Sequence, residues 1–112
     1  MEFIINQIIV NSIKYCNSKD ALIKIYAVDE RNAVKLHIED NGVGIVDRDL
    51  KRVFEKGFTG ENERKYGKST GLGLYLCKKL STKLGIGIGI NSKEEKGTTV
   101  IKVFPNNNFL IK

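Results

Sequence analysis

The stretch Val34-Lys35-Leu36-His37-Ile38-Glu39-Asp40-Asn41-Gly42-Val43-Gly44-Ile45 decides how the rest of the chain is read. Val34, Leu36 and Ile38 alternate with Lys35, His37 and Glu39, the period of a half-buried strand. Continuing that alternation puts Asp40 on the face shared by Val34, Leu36 and Ile38, which is the face expected to be buried. A carboxylate aimed at a core is costly unless it is hydrogen-bonded or paired, so Asp40 needs a dedicated donor, and a ligand is one candidate. Directly after it, Gly42 and Gly44 permit a tight turn with positive φ or a close approach of the backbone to something bound.

Upstream, the Ile-rich residues 21–28 lead through the turn-like Asp29-Glu30-Arg31-Asn32 into the alternating run, and together they predict a hairpin. Residues 3–15 are helix-length and apolar almost all round, which predicts burial on most faces. The exceptions Gln7, Asn11 and Lys14 fall at i, i+4 and i+7 and share one face, which meets either water or a ligand. Downstream, Asp47 or Asp49 is placed to cap a short helix reaching Phe54. Residues 55–70 then lose all periodicity among Gly57, Gly60, Gly67 and many charges, as a lid would. Leu72, Leu76, Leu80 and Leu84 recur every four residues and predict a helix that opens at Gly71-Leu72-Gly73 and ends at Gly85. Residues 86–90 and 98–104 close the chain as two strands joined by the charged turn Lys93-Glu94-Glu95-Lys96-Gly97.

The chain has 112 residues, 41% hydrophobic and 29% charged, which fits one compact soluble domain and excludes the composition of disorder. No apolar run approaches the roughly 20 residues of a membrane span, and Met1-Glu2-Phe3 does not open a signal peptide, so a cytoplasmic domain is expected. Cys16 and Cys77 stand apart without metal-ligand spacing and are expected to be reduced thiols. The net charge of +6 comes from scattered Lys and Arg rather than a basic arm, and no nucleic-acid partner is expected.

Single features of this kind are weak, but their order is not. A helix with Gln7, Asn11, Lys14 and Tyr15 precedes Asp40-x-Gly42-x-Gly44, then Phe54-x-x-Gly57-Phe58, then Gly71-x-Gly73, then Gly97-Thr98. This series resembles the asparagine, glycine and phenylalanine boxes of the ATPase superfamily that contains histidine kinases, gyrase-type topoisomerases, Hsp90-type chaperones and mismatch-repair ATPases. Asn11-Ser12-Ile13-Lys14-Tyr15, the run from Phe54 to Gly60, and Ser69-Thr70-Gly71-Leu72-Gly73-Leu74 are most similar to histidine kinases, especially those of Gram-positive bacteria that respond to bacitracin and other antimicrobial peptides.

The resemblance implies a two-layer α/β sandwich of the Bergerat type, with a mixed, mainly antiparallel sheet, helices on one face and an ATP lid. It implies ATP and Mg²⁺ as cofactors. Asp40 would accept a hydrogen bond from the adenine amino group, and an apolar pocket with one such acceptor discriminates adenine from guanine. Asn11 would help hold Mg²⁺ through its side-chain oxygen, with Gln7 standing where many relatives carry a second Asn. Lys14 and Tyr15 would face the phosphates, Gly42 and Gly44 would shape the adenine turn, and Thr98 would contact the adenine side. Thr70, Gly71, Leu72 and Gly73 open a helix whose backbone N–H groups would meet phosphate. Phe54 and Phe58 would anchor the lid, from which Lys56, Arg64 or Lys68 would reach the γ-phosphate. Without nucleotide, residues 61–68 are expected to be mobile.

The whole chain, residues 1–112, thus reads as the catalytic domain of a sensor histidine kinase, a fragment whose dimerisation, phosphoacceptor and sensor domains lie elsewhere. The abrupt start at the first helix suggests a fragment that lacks an upstream strand of the usual domain. The only histidine, His37, lies on the strand face opposite Asp40 and lacks the phosphoacceptor pattern, so self-phosphorylation is not expected. The implied partners are the dimerisation and histidine-phosphotransfer domain of the same kinase and, indirectly, a response regulator. The full-length protein is expected to be membrane-anchored and homodimeric. Rival readings are a nucleotide-gated partner-binding module and an anti-sigma-type serine kinase of the same fold. A P-loop would need Gly where Asn62 stands before Gly67-Lys68-Ser69, and Gly71-x-Gly73 lacks the third glycine of a dinucleotide fingerprint.

Overall fold

The computed structural model describes residues 2–15, 21–62 and 72–105. Their elements run α1 (Glu2–Lys14), β1 (Ile23–Glu30), β2 (Ala33–Asp40), α2 (Asp47–Leu50), α3 (Gly73–Lys83), β3 (Gly87–Lys93) and β4 (Gly97–Pro105). The strands form one sheet in the order β1-β2-β4-β3, with each neighbouring pair antiparallel. The predicted hairpin is β1–β2, whose register sets Ile23 opposite Asp40 and Tyr26 opposite His37.

Alternation along the strands builds the core. Ile38 of β2 and Val100 of β4 are directly paired, and both point at Ile4 and Ile8 of α1 and at Cys77 of α3. Both long helices therefore cover one face of the sheet, as in a two-layer α/β sandwich. On the other face, the rings of Tyr26 and His37 stack with centroids 4.8 Å apart, and the Tyr26 hydroxyl donates to Glu39 Oε1 at 3.2 Å. His37 is thus a strand-surface residue away from the helices.

The structure corrects two expectations and refines a third. First, α1 is not buried on most faces. Ile4, Ile8 and Ser12 point inward, whereas Phe3, Val10 and Ile13 are exposed, because the sheet and α3 cover one side of the helix only. Second, the Leu72, Leu76, Leu80 and Leu84 repeat lies in the helix it predicts, to which the structure adds that the leucines are not its inward face. All four are more than a third exposed, and the residues turned to β4 are Cys77 and Ser81, both fully buried. Small side chains there leave room for Lys102, which rises from β4 between Val100 and Phe104 and is itself fully buried. Third, neither Asp47 nor Asp49 caps α2, whose N-cap is Val46 with no side-chain capping bond. Asp49 is buried and bonds elsewhere.

Candidate functional site

The alternation that builds the core also delivers Asp40 and Thr98, paired across β2 and β4, to the end of the sheet beneath α1. Asp40 Oδ1 accepts the N–H of Gly42 at 2.8 Å and the N–H of Thr98 at 3.3 Å. The donor that the sequence demands is therefore supplied by the backbone, and both bonds fall on one oxygen. Among the described residues, no hydrogen bond reaches Oδ2.

The loop after Asp40 is fixed from several sides. Val43 N–H donates to the Tyr15 carbonyl at 3.1 Å, and Glu95 N–H donates to the Val43 carbonyl at 2.7 Å. Ser92 Oγ accepts the Ile45 N–H at 2.8 Å, donates to the Gly97 carbonyl at 2.9 Å, and lies 2.7 Å from Thr98 Oγ1. Gly44 has φ +73°, and a Cβ there would stand 2.1 Å from the Lys93 carbonyl oxygen. Gly97 has φ +126°, and a Cβ there would stand 2.0 Å from the Asp40 carbonyl oxygen. No other residue type fits either place without displacing backbone.

Around this floor lies a cleft of about 180 Å³. Of the residues singled out in the sequence, it is lined by Gln7, Asn11, Tyr15, Asp40, Gly44, Phe58, Gly73 and Thr98. Gln7 Oε1 lies 2.9 Å from where a Cβ on Gly73 would stand, so the polar stripe of α1 meets the start of α3. Apolar walls come from Ile8, Ile45, Val53, Leu74, Ile90 and Val100.

Five singled-out residues are placed outside this lining. Gly42 lies behind Asp40, packed so that a Cβ would stand 2.7 Å from the Tyr15 carbonyl oxygen. The Lys14 ammonium lies 5.5 Å from the Tyr15 ring centroid, at the rim. Phe54 carries the Lys78 ammonium at 5.5 Å, and the Lys56 ammonium lies 5.9 Å from the Tyr75 ring. Leu72 forms the N-cap of α3. Arg64, Lys68, Thr70 and Gly71 lie outside the described residues, as does half of the lid, residues 63–70.

Sequence reasoning missed the anchor of that lid. Asp49 Oδ2 accepts the Glu61 N–H at 2.8 Å, and Asn62 Nδ2 donates to the Gly44 carbonyl at 2.7 Å. A carboxylate beside a helix start reads as a cap, and nothing local distinguishes the two roles.

Residues 1–108 match the family described as histidine kinase-, DNA gyrase B- and HSP90-like ATPases. The chain belongs to this ATPase family. It is 41% identical over 107 residues to the sensor histidine kinase GraS of Staphylococcus haemolyticus, covering 96% of this chain and 30% of that protein. It is 36% identical over 112 residues to the sensor protein BceS of Halalkalibacterium halodurans, covering 100% of this chain and 33% of that one. The domain thus spans about a third of the length of these curated relatives. Among solved structures, the catalytic domain of histidine kinase ThkA superposes with TM-score 0.72 at 25% identity, over 92% of this chain and 65% of that one. The mycobacterial sensor histidine kinase MprB gives TM-score 0.77 at 21% identity, over 94% and 69%, a likeness of fold.

The kinase domain is therefore of the ATP-binding catalytic kind found in two-component sensor kinases. Among its described residues, no helix is long and apolar enough to cross a membrane, and no group of three or more His, Cys, Asp or Glu is placed to hold a metal ion. The α1 residues with side-chain oxygens that line the cleft are Gln7 and Asn11, whose amides lie one helical turn apart, and Ser12. Such an amide pair suits a hard ion whose remaining ligands are phosphate and water.

Proposed function

We propose that this domain binds Mg-ATP and presents the γ-phosphoryl group to a histidine on a separate dimerisation domain of a two-component sensor kinase. The observation that carries the reading is Asp40, which faces a cleft with apolar walls, one carboxylate oxygen committed to the backbone and the other, among the described residues, open to a ligand donor. The adenine amino group is such a donor. Guanine would present a carbonyl oxygen there and leave two acceptors face to face.

Asn11 and Gln7 are the residues that would hold Mg²⁺, whose chemistry is to neutralise charge on the phosphate oxygens. Tyr15 and the start of α3 at Gly73 line the route along which the phosphates would run, with Lys14 beside Tyr15 to attract them and Thr70, Gly71 and Leu72 preceding Gly73 in the chain. Thr98 and Gly44 would close the adenine end, and Phe58 with Phe54 would seat the lid that carries Lys56, Arg64 and Lys68. The chain then needs no covalent chemistry of its own, because phosphoryl transfer is served by positioning and charge neutralisation. His37, stacked on Tyr26 across the sheet, is not the acceptor.

The exposed Phe3, Val10 and Ile13 of α1 and Leu76 and Leu80 of α3 support a protein partner beside the cleft, which we take to be the dimerisation domain of the same homodimeric, membrane-anchored kinase. Calorimetric titration with ATP and GTP, each with and without Mg²⁺, tests the pocket. Incubation of the domain with radiolabelled ATP and a supplied phosphoacceptor helix tests the transfer. ATP-preferring binding and label on the helix are expected; ATP binding with label nowhere would instead describe a nucleotide-gated binding module.

A further inference from the structure

Lys102 is the residue that the ATP site does not explain. It is fully buried, and its ammonium nitrogen makes a hydrogen bond to Ser81 Oγ in α3. No ion pair reaches it among the described residues. One helical turn before Ser81, Cys77 is also fully buried, with Sγ 3.8 Å from the Ile4 carbonyl of α1. Three elements thus meet at one buried polar point, and the same three elements line the nucleotide cleft through Gln7 and Asn11, Gly73 and Leu74, and Thr98 and Val100.

We infer that Lys102 is a positioning residue for the nucleotide site: its bond to Ser81 sets the angle at which α3 lies across β4, and so where Gly73 stands relative to Thr98. The inference rests on the ATP reading of the cleft. From Ser81 back to Gly73 is eight residues, about 12 Å of helix. From Lys102 back to Thr98 is four residues, about 13 Å of strand. The pin therefore sits at the far end of two arms of similar length whose near ends both line the cleft. A small rotation about the pin changes the width between Gly73 and Thr98.

Stability alone gives no reason for a lysine here, since a buried charge replaced by an apolar side chain of similar length is often neutral or stabilising. A hydrogen bond adds fixed length and direction, which apolar contacts between Cys77, Val100 and Ile4 do not supply. The other buried residue of α3, Cys77, is small, so the Ser81 bond is the directional contact on this part of the helix.

The test uses the 112-residue chain as wild type, Lys102→Met, Ser81→Ala and the double variant. ATP affinity is measured by calorimetry, thermal unfolding monitors the fold, and hydrogen exchange follows the Leu76 amide, which donates to the Leu72 carbonyl at 2.9 Å. Lys102→Met is expected to melt no lower than wild type, yet to bind ATP about 5- to 20-fold more weakly and to exchange faster at Leu76. The double variant should match Lys102→Met. A folded Lys102→Met domain with ATP affinity within about twofold of wild type overturns the inference. Should Lys102→Met fail to fold, Ser81→Ala decides in the same way, because it removes the acceptor and keeps the lysine. If wild type itself does not bind ATP, the site reading fails, and unchanged Leu76 exchange in the variants then overturns the positioning role separately.

Discussion

Among the described residues, Asp40 holds two backbone N–H groups on one carboxylate oxygen and none on the other, so its two halves have separable duties. Asp40→Asn keeps an oxygen for Gly42 and Thr98 and replaces the free acceptor with an NH₂ group, which would face the adenine amino group donor to donor. Hydrogen bonds to charged groups contribute about 1.5–3 kcal/mol, so ATP affinity is expected to fall roughly 10- to 100-fold by calorimetry with little change in melting temperature. Gly44 gives the opposite pattern. Its positive φ and the Lys93 carbonyl 2.1 Å from a would-be Cβ make Gly44→Ala a structural lesion. A loss of about 2–4 kcal/mol is expected, seen as a melting temperature lowered by roughly 10 °C or more.

At the scale of elements, the cleft is a junction between the loop after β2, the end of β3 and the start of β4, and Ser92 is the tie. Ser92→Ala removes the acceptor for the Ile45 N–H and the partners of the Gly97 carbonyl and Thr98 hydroxyl together. Urea unfolding should show a loss of about 1–3 kcal/mol, with ATP affinity reduced as well, because Thr98 and the loop after Asp40 shift together. This junction also shows what was readable in the sequence. Period-two alternation placed Asp40 on the helix-covered face, and helical spacing brought Gln7 and Asn11 to one side of α1, since both follow from backbone geometry alone. The ties of Ser92 to Ile45 and of Asp49 to Glu61 were not readable, because they join segments whose proximity depends on how the loops pack. The inward face of the leucine-repeat helix was not readable for a related reason. Spacing shows that a helix forms, but a helix with apolar residues on two sides buries the side its neighbours reach, which here is that of Cys77 and Ser81.

At the scale of the whole molecule, the four-stranded sheet and its single layer of helices were legible, yet the most unusual core residue was overlooked although its position was computable. Thr98, Val100 and Lys102 alternate on one face, so a lysine directed inward follows from the same rule that placed Asp40. Its burial has a consequence for global stability. Loss of hydration holds the Lys102 amine below its ordinary 10.5, while the Cys77 thiol beside it is pushed above its ordinary 9.0, also by burial. For Lys102 the unfolded chain binds more protons than the folded one between the lowered folded value and 10.5, so stability rises with pH across that window and is lost as pH falls through it. For Cys77 the folded chain is the one that keeps the proton, so its contribution declines as pH rises above 9.0. The two act oppositely and are separated by subtraction. In urea unfolding from pH 7 upward, the stability of wild type relative to Lys102→Met should increase toward pH 10.5, and that of wild type relative to Cys77→Ala should decrease above pH 9.0. A flat wild-type-minus-Lys102→Met difference would mean that the folded chain holds the lysine proton up to the ordinary 10.5, against the loss of hydration that burial imposes.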